Sequence, residues 1–158
     1  MPAPGTPVRM GAMMFDEAEA YLRQRSSMVI ATRLEGEVRA ATGCFALGEG
    51  LEIYFFVFRD SIKHRGILEN PQVALVIDDG FTVPMRGIEI IGNAVVVTGA
   101  QRQQGQTLLR KRFPDLEGAW EDPRILIVRV APDRVRFTDW THGIGQSREA
   151  NVPQQARP

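Results

Sequence analysis

Ser61, Lys63 and Arg65 are the residues whose types and spacing best suit a chemical task. They fall in the first turns of a short helix predicted over 60–70, directly after a strand rich in aromatic residues. A helix start offers free backbone N–H groups and the positive end of the helix dipole. Lys63 would add a point charge for phosphate and Arg65 a planar fork. The pattern therefore indicates an anion site, although a solvated basic helix start with Ser61 as its cap would look the same.

Motifs for other familiar chemistries are absent from the sequence. No GxGxxG follows a predicted strand, and neither GxxxxGK[ST], CxxC nor HExxH occurs. His64 and His142 are too few for a convincing metal site, so we predict none. Cys44 could pair with a histidine as a nucleophile, but a single buried thiol is usually a small apolar residue. No side chain stands out as a catalytic acid or base.

The elements that position these residues are mostly strands. Alternating or β-branched apolar runs predict strands, and helical spacing of apolar residues predicts the helices. The predicted strands are 28–33, 38–47, 51–58, 73–78 and 85–99, followed by a hairpin of 125–130 and 134–140 around Ala131-Pro132-Asp133. The predicted helices are 15–25, 60–70 and 101–114.

Short connections favour antiparallel neighbours, and this many strands in a short chain tend to close on themselves. Turns are predicted around Gly36 and at 48–50, while Gly87 and Gly92 would let the long strand bend. We expect a mainly β fold, a six-stranded antiparallel split β-barrel with flanking short helices. Its predicted parts are a flexible N-terminal tail at 1–12, a barrel domain at 13–140 and a C-terminal tail at 141–158.

Composition describes an ordinary globular domain. The 158 residues are 44% hydrophobic and 24% charged, and 19 basic residues balance 19 acidic ones. A net charge of zero does not favour nucleic acid, and no run is long enough to span a membrane. With one cysteine and no signal-peptide layout, we expect a cytoplasmic protein without an internal disulfide.

The stretch from Met28 to Gly99 resembles the pyridoxamine 5′-phosphate oxidase-like superfamily of FMN-binding split barrels. The pieces that carry the resemblance are MVIAT, then LEIYFFVFRDSIKHRGILENPQVALVID, then RGIEIIGNAVVV. The SxK…LxxNPxVAL pattern at 61–75 is the most specific of them. The resemblance implies a homodimer with two cofactor sites at its interface, and FMN as the cofactor.

The resemblance also assigns candidate cofactor contacts. The second strand would lie along the ring and phosphate, the third strand would end beside them, and the long strand would begin with the family's arginine. Carried over to this chain, the cofactor-binding residues are Ala41, Thr42, Gly43, Cys44, Phe56, Val57, Ser61, Ile62, Lys63, Arg65, Arg86 and Gly87.

Departures from the family pattern bear on the substrate. Oxidases of vitamin B6 carry an arginine and a lysine on the second strand where this chain has Ala41 and Ala46, and a glutamine where it has Gly87. The terminal W…R pattern is only faintly echoed by Trp140 and Arg148. These differences argue against vitamin B6 as the substrate.

The resemblance leaves the cofactor open between FMN, a deazaflavin coenzyme and, less favoured, haem. The leading function is an oxidoreductase acting on an unknown small molecule, with no nucleic acid or membrane partner. The alternative is a non-catalytic protein that binds or senses flavin or haem. Whichever function holds, the aromatic residues at 54–58 are first of all core and dimer packing, and only secondarily a wall for a ring. His142 could be a ligand if haem binds, although a lone histidine in this region is usually a surface residue.

Overall fold

The structure is a computed structural model that describes residues 8–9 and 11–154. Its strands are β1 Val8–Arg9, β2 Ser27–Leu34, β3 Glu37–Cys44, β4 Ala46–Leu47, β5 Ile53–Phe58, β6 Gln72–Asp78, β7 Arg86–Val96, β8 Ile125–Asp139 and β9 Ser147–Asn151. Its helices are α1 Ala12–Arg23, α2 Ile62–Glu69 and α3 Gly99–Arg112, and 3-10 turns lie at Glu49–Leu51, Pro114–Glu121 and Trp140–His142.

One sheet contains all nine strands of the described residues, in the order β1-β9-β8-β7-β6-β2-β3. β5 pairs with the first part of β8, and β4 pairs with β5. Every pairing is antiparallel except that of β1 with β9. Because β8 pairs with β5 along its first part and with β9 along its second, the sheet curls into a split barrel. The predicted fold class is confirmed, although the described residues form nine strands rather than six.

The barrel interior is filled by the inward residues of alternating strands. In β2, Met28, Ile30 and Leu34 are buried while their neighbours face outward, which is the period of two that a half-buried strand requires. Helix α1 covers this core with Ala18 and Leu22, both fully buried. A second cluster lies on the outer face of β5 beneath α3 and the 3-10 turn Pro114–Glu121; it comprises Ala46, Tyr54, Val97, Leu109, Trp120, Ile125 and Ile127.

The predicted final hairpin is wrong, because residues Ile125–Asp139 form one continuous bent strand. The ladder with β7 shifts register between Ile91 and Gly92. A Cβ on Gly92 would lie 2.3 Å from the carbonyl oxygen of Ala131, so only glycine lets the two backbones meet. Pro132 stands opposite Gly92 and lacks an N–H for the ladder, as is common at bulges. The Ala131-Pro132-Asp133 segment is thus a bend within a strand, and the predicted bending at Gly92 has a steric basis.

The region predicted as a C-terminal tail also contributes to the sheet. Residues Ser147–Asn151 form β9, and the Arg148 guanidinium is 2.9 Å from a Glu17 carboxylate oxygen on α1. Arg148 also lies over the Phe137 ring, 5.2 Å from its centroid. Most of the predicted N-terminal tail lies outside the described residues; within it, Val8–Arg9 form β1. None of the helices in the described part of the chain is long and apolar enough to cross a membrane.

Candidate functional site

The turn between β5 and α2 is fixed by its own side chains. Asp60 adopts a positive φ of 62°, and its N–H donates to His64 Nδ1 at 3.0 Å. Ser61 caps α2, its hydroxyl oxygen accepting the His64 N–H at 3.2 Å. This is the predicted cap, and it orients the first turn of α2 rigidly. The His64 ring is therefore buried and engaged within the turn.

Lys63 reaches from α2 to the end of β3. Its Nζ lies 3.4 Å from the carbonyl oxygen of Thr42, and a Cβ on Gly43 would be 4.0 Å from the same nitrogen. None of the ion pairs among the described residues involves Lys63. We call Thr42, Gly43, Ser61, Ile62 and Lys63 the Lys63 cradle. It presents one ammonium group that has no carboxylate partner in the described part of the chain.

The neighbouring strand β3 is an open wall. It ends the sheet order, and residues 37–42 are exposed on both faces. Ala41 and Thr42 are small, and Gly43 and Cys44 are half-buried at the strand's end. Burial raises the pKa of the Cys44 thiol, and the nearby Lys63 offsets only part of that effect. Cys44 is accordingly a neutral thiol near pH 7, which does not favour a nucleophilic role.

Arg65 points away from the Lys63 cradle. Two residues along an α-helix rotate a side chain by roughly 200°, so Lys63 and Arg65 occupy different faces of α2. The Arg65 guanidinium instead lies 2.9 Å from a Glu35 carboxylate oxygen, in the turn between β2 and β3. The structure therefore brings Ser61, Ile62 and Lys63 together with β3 and leaves Arg65 outside that group.

Phe56 and Val57 lie on opposite faces of β5. Val57 is 1% exposed within the barrel core, so its side chain offers nothing to a ligand. Phe56 is half-buried on the outer face, where its ring meets Trp120 edge to face with centroids 5.6 Å apart. Both side chains pack against other residues of the chain, Val57 in the core and Phe56 against Trp120.

Arg86 and Gly87 begin β7, at a distance from Lys63 along the sheet. Arg86 Nε lies 3.3 Å from a carboxylate oxygen of Asp139, and its carbonyl oxygen accepts the Tyr21 hydroxyl at 3.2 Å. A Cβ on Gly87 would lie 3.2 Å from the Asp78 Cβ, which leaves little room for a larger residue. Since β2 and β6 stand between β3 and β7, three strand spacings, or roughly 14 Å along the sheet, separate the two regions.

Three residues around Arg86 were not identified from the sequence. Tyr21 and Arg25 lie on and just after α1, and Asp139 ends β8, so none is near Arg86 in the chain. The Arg25 guanidinium stands 4.0 Å over the Tyr21 ring and pairs with Asp79. The one available signal was the acidic residue Asp139 near the end of the predicted strand 134–140, which antiparallel pairing with β7 places opposite Arg86.

The histidines do not form a metal site in the described part of the chain. No group of three or more His, Cys, Asp or Glu side chains there could hold a metal ion. His64 accepts a backbone N–H, as described above, and His142 is exposed at the end of the 3-10 turn Trp140–His142.

Residues 14–139 match the sequence family described as pyridoxamine 5′-phosphate oxidase. No curated protein matches the chain in sequence. Three solved structures are similar in fold. A haem-binding protein from Mycobacterium smegmatis aligns with a TM-score of 0.78 and 16% identity, over 92% of this chain and 60% of that protein. A putative pyridoxamine 5′-phosphate oxidase from Listeria innocua aligns with a TM-score of 0.67 and 19% identity, over 78% of this chain and 97% of that protein.

The third is the haem storage protein HutZ from Vibrio cholerae, with a TM-score of 0.65 and 15% identity, over 74% of this chain and 88% of that protein. This chain thus spans 60% of the length of the Mycobacterium smegmatis protein. At these identities the structural likeness establishes the split-barrel fold and leaves the ligand open.

Proposed function

The chain belongs to the pyridoxamine 5′-phosphate oxidase family, and we propose that it is a flavin-dependent oxidoreductase that holds FMN phosphate in the Lys63 cradle. The observation that carries this proposal is the Lys63 ammonium, which lies 3.4 Å from the Thr42 carbonyl oxygen without a carboxylate partner among the described residues. A cation that the protein does not neutralise is available to an anionic ligand.

The first turn of α2 fits a phosphate group. The His64 N–H is taken by the Ser61 hydroxyl and the Arg65 N–H by the Ser61 carbonyl. In the described part of the chain this leaves the N–H groups of Ile62 and Lys63 as free donors. Backbone donors at a helix start, together with an ammonium group, are a common combination around phosphate.

The open wall of β3 suits a planar ring. Ala41 and Gly43 present little side chain, and the edge of β3 leaves backbone groups unpaired. A bound flavin would supply the transfer of a hydride or an electron pair, and these residues would bind and orient it. The neutral Cys44 thiol adds no acid or base at that place, so this chain's contribution is binding and positioning.

A homodimer would complete the site. Val29 and Val76 are neighbours about two-fifths exposed on the outer face of the sheet, and Val38 is 75% exposed farther along β3. These valines adjoin a shallow pocket of about 210 Å³ lined partly by Ala31 and Ala74. Such an apolar face on a small domain favours a protein partner, and a second copy could bring its Arg86 to the cofactor.

Light scattering at micromolar concentration tests the dimer. We expect a mass near twice 17.6 kDa. Substituting Val76 with Glu should shift that mass toward one chain, because an unpaired charge would be buried at the interface. A stable monomer of the wild-type chain would contradict the interface site.

Vitamin B6 is not the expected substrate. Ala46 is 5% exposed in the cluster beneath α3, so this position offers no group to a ligand, and Ala41 carries no charge. FMN-loaded protein should therefore give no useful oxidation of pyridoxine or pyridoxamine phosphate. Turnover at ordinary enzyme rates, roughly 0.1 to 10 per second, would contradict this expectation.

Haem binding without flavin chemistry is the second candidate, favoured by the fold shared with two proteins described as binding or storing haem. Titrations with FMN, a deazaflavin coenzyme and haemin, followed by absorption spectra, distinguish the candidates.

We expect FMN to bind with a shifted flavin spectrum that bleaches on addition of reduced nicotinamide. Binding of haemin alone would replace the flavin proposal, and flavin binding without bleaching by any reductant would favour a storage or sensing role.

A further inference from the structure

Two arginines lie together near the start of β7, and each has a carboxylate partner. Arg86 Nε is 3.3 Å from an Asp139 oxygen, and the Arg25 guanidinium pairs with Asp79. The formal charges of these four side chains sum to zero. We call Arg25, Asp79, Arg86 and Asp139 the Arg86 end of the sheet; it offers guanidinium groups without net positive charge.

Asp139 is held in its charged form. It is 6% exposed, and one of its oxygens accepts the Thr141 N–H at 2.9 Å and also the Thr141 hydroxyl. Burial alone would raise the pKa of Asp139, but the Thr141 hydrogen bonds and the charges of Arg86 and His142 hold that pKa below its ordinary value. Asp139 therefore neutralises Arg86 throughout the neutral pH range.

Arg86 is oriented, yet its hydrogen-bonding capacity is not used up. Its carbon Cζ lies 5.1 Å from the Tyr21 ring centroid and 5.5 Å from that of Phe137. In the described residues the buried Nε has no aligned hydrogen-bond partner, although Asp139 is within ion-pair distance. The ion pair uses Nε, and the side chain is 37% exposed, so its terminal amino groups can serve a ligand.

From this geometry we infer that Asp139 is a specificity-determining residue. Asp139 cancels the charge of Arg86. The Arg86 end therefore donates hydrogen bonds to an uncharged acceptor, such as a ring carbonyl, and disfavours an anion. The uncompensated Lys63 then takes the single anionic group of the ligand. This inference rests on the proposed function. An uncompensated Lys63 and a compensated Arg86 together favour a cofactor with one phosphate and an uncharged ring over haem, which carries two carboxylates.

Inorganic phosphate tests the inference without any cofactor. The full-length wild type, Asp139→Asn and Asp115→Asn are titrated with phosphate at constant ionic strength, and backbone amide signals are followed by NMR. Asparagine can still accept the Thr141 N–H, so the cap is kept. Asp115 is exposed and in no ion pair among the described residues, so its variant is matched for net charge.

In wild type, phosphate should shift amide signals of the Lys63 cradle only. Asp139→Asn should add a second set of shifts around Gly87, with an affinity there at least about tenfold tighter than in wild type or Asp115→Asn. Adding Arg86→Gln to Asp139→Asn should remove that second set. Shifts around Gly87 in wild type at the same phosphate concentration, or none in Asp139→Asn, would overturn the inference. Asp139→Ser, which also supplies a capping oxygen, is the replacement if the asparagine variant does not fold.

A second arm compares cofactors. The haemin dissociation constant divided by the FMN dissociation constant should fall by about tenfold in Asp139→Asn. In that variant Arg86 is no longer neutralised, so it can pair with a second carboxylate of haem. An unchanged ratio in a protein that binds FMN through Lys63 would overturn the inference and leave the proposed function standing. If no flavin binds at all, the proposed function fails, while the phosphate titration still decides the role of Asp139.

Discussion

The Lys63 cradle and the Arg86 end handle positive charge in opposite ways. Among the described residues, the side-chain hydrogen bond of Lys63 goes to a backbone carbonyl oxygen at 3.4 Å, whereas Arg86 faces a buried carboxylate and lies against two adjacent aromatic rings. An ammonium group left uncompensated attracts an anion, while a compensated guanidinium orients neutral acceptors. The difference shows that counting basic residues does not locate an anion site; the partners of each cation decide it.

The largest effect should come from removing the uncompensated cation. Lys63→Ala should weaken FMN binding by roughly 10- to 150-fold, since a charged contact to phosphate contributes on the order of 1.5–3 kcal/mol. Stability without cofactor should barely change, because an ammonium group without an ion pair contributes little to folding. The measurement is a pair of FMN titrations at one fixed salt concentration.

Arg65→Ala is the matched control for that experiment. It removes a cation from the same helix, but one that is already paired with Glu35 at 2.9 Å. We expect its FMN affinity to stay within about twofold of wild type. A cation that is already paired and points away from the Lys63 cradle contributes little to phosphate binding. Equal losses in the two variants would show that net charge, rather than the partners of each cation, sets the affinity.

The two regions also differ in how far the sequence alone could predict them. The Lys63 cradle begins in a local pattern, because Ser61 caps α2 within the same turn and Lys63 follows two residues later. The Arg86 end depends on contacts 53 residues away at Asp139 and 65 residues away at Tyr21. No local periodicity encodes such pairings, so they follow only from the register of β7 against β8 and from the placement of α1.

The fold shows the same limit. Strand patterns with a period of two predicted the barrel, but Ala131-Pro132-Asp133 has the composition of a turn and lies within a single strand. The deciding contact is the approach of the Ala131 carbonyl to Gly92 on another strand. Likewise, the polar residues Ser147–Asn151 form a strand because β8 offers them a free edge, which their own composition does not indicate.

Lowering the pH should change the stability contribution of the Arg86 end but not that of the Lys63 cradle. The pKa of Asp139 is lowered in the folded state, so its carboxylate stabilises the fold above the unfolded value of about 3.9. That contribution is lost as pH falls through the lower folded pKa. The difference in unfolding free energy between wild type and Asp139→Asn should therefore be largest at pH 7 and shrink toward pH 3 in urea titrations. Lys63→Ala removes no carboxyl group and should show no such trend; a constant Asp139 difference at all pH values would contradict the prediction.

The smallest effect should come from Tyr21→Phe. This change removes the hydroxyl that donates to the Arg86 carbonyl at 3.2 Å but keeps the ring beneath the guanidinium groups of Arg25 and Arg86. The unfolding free energy should drop by about 1 kcal/mol, and FMN affinity at the Lys63 cradle should not change. Burial and the nearby Asp79 raise the pKa of Tyr21 to about 12, so absorbance titration of the two tyrosines should lose its most alkaline step in this variant. If that step remained in Tyr21→Phe, the raised pKa would belong to a group other than Tyr21. A large loss of FMN affinity would mean that the Arg86 end and the Lys63 cradle are coupled rather than independent.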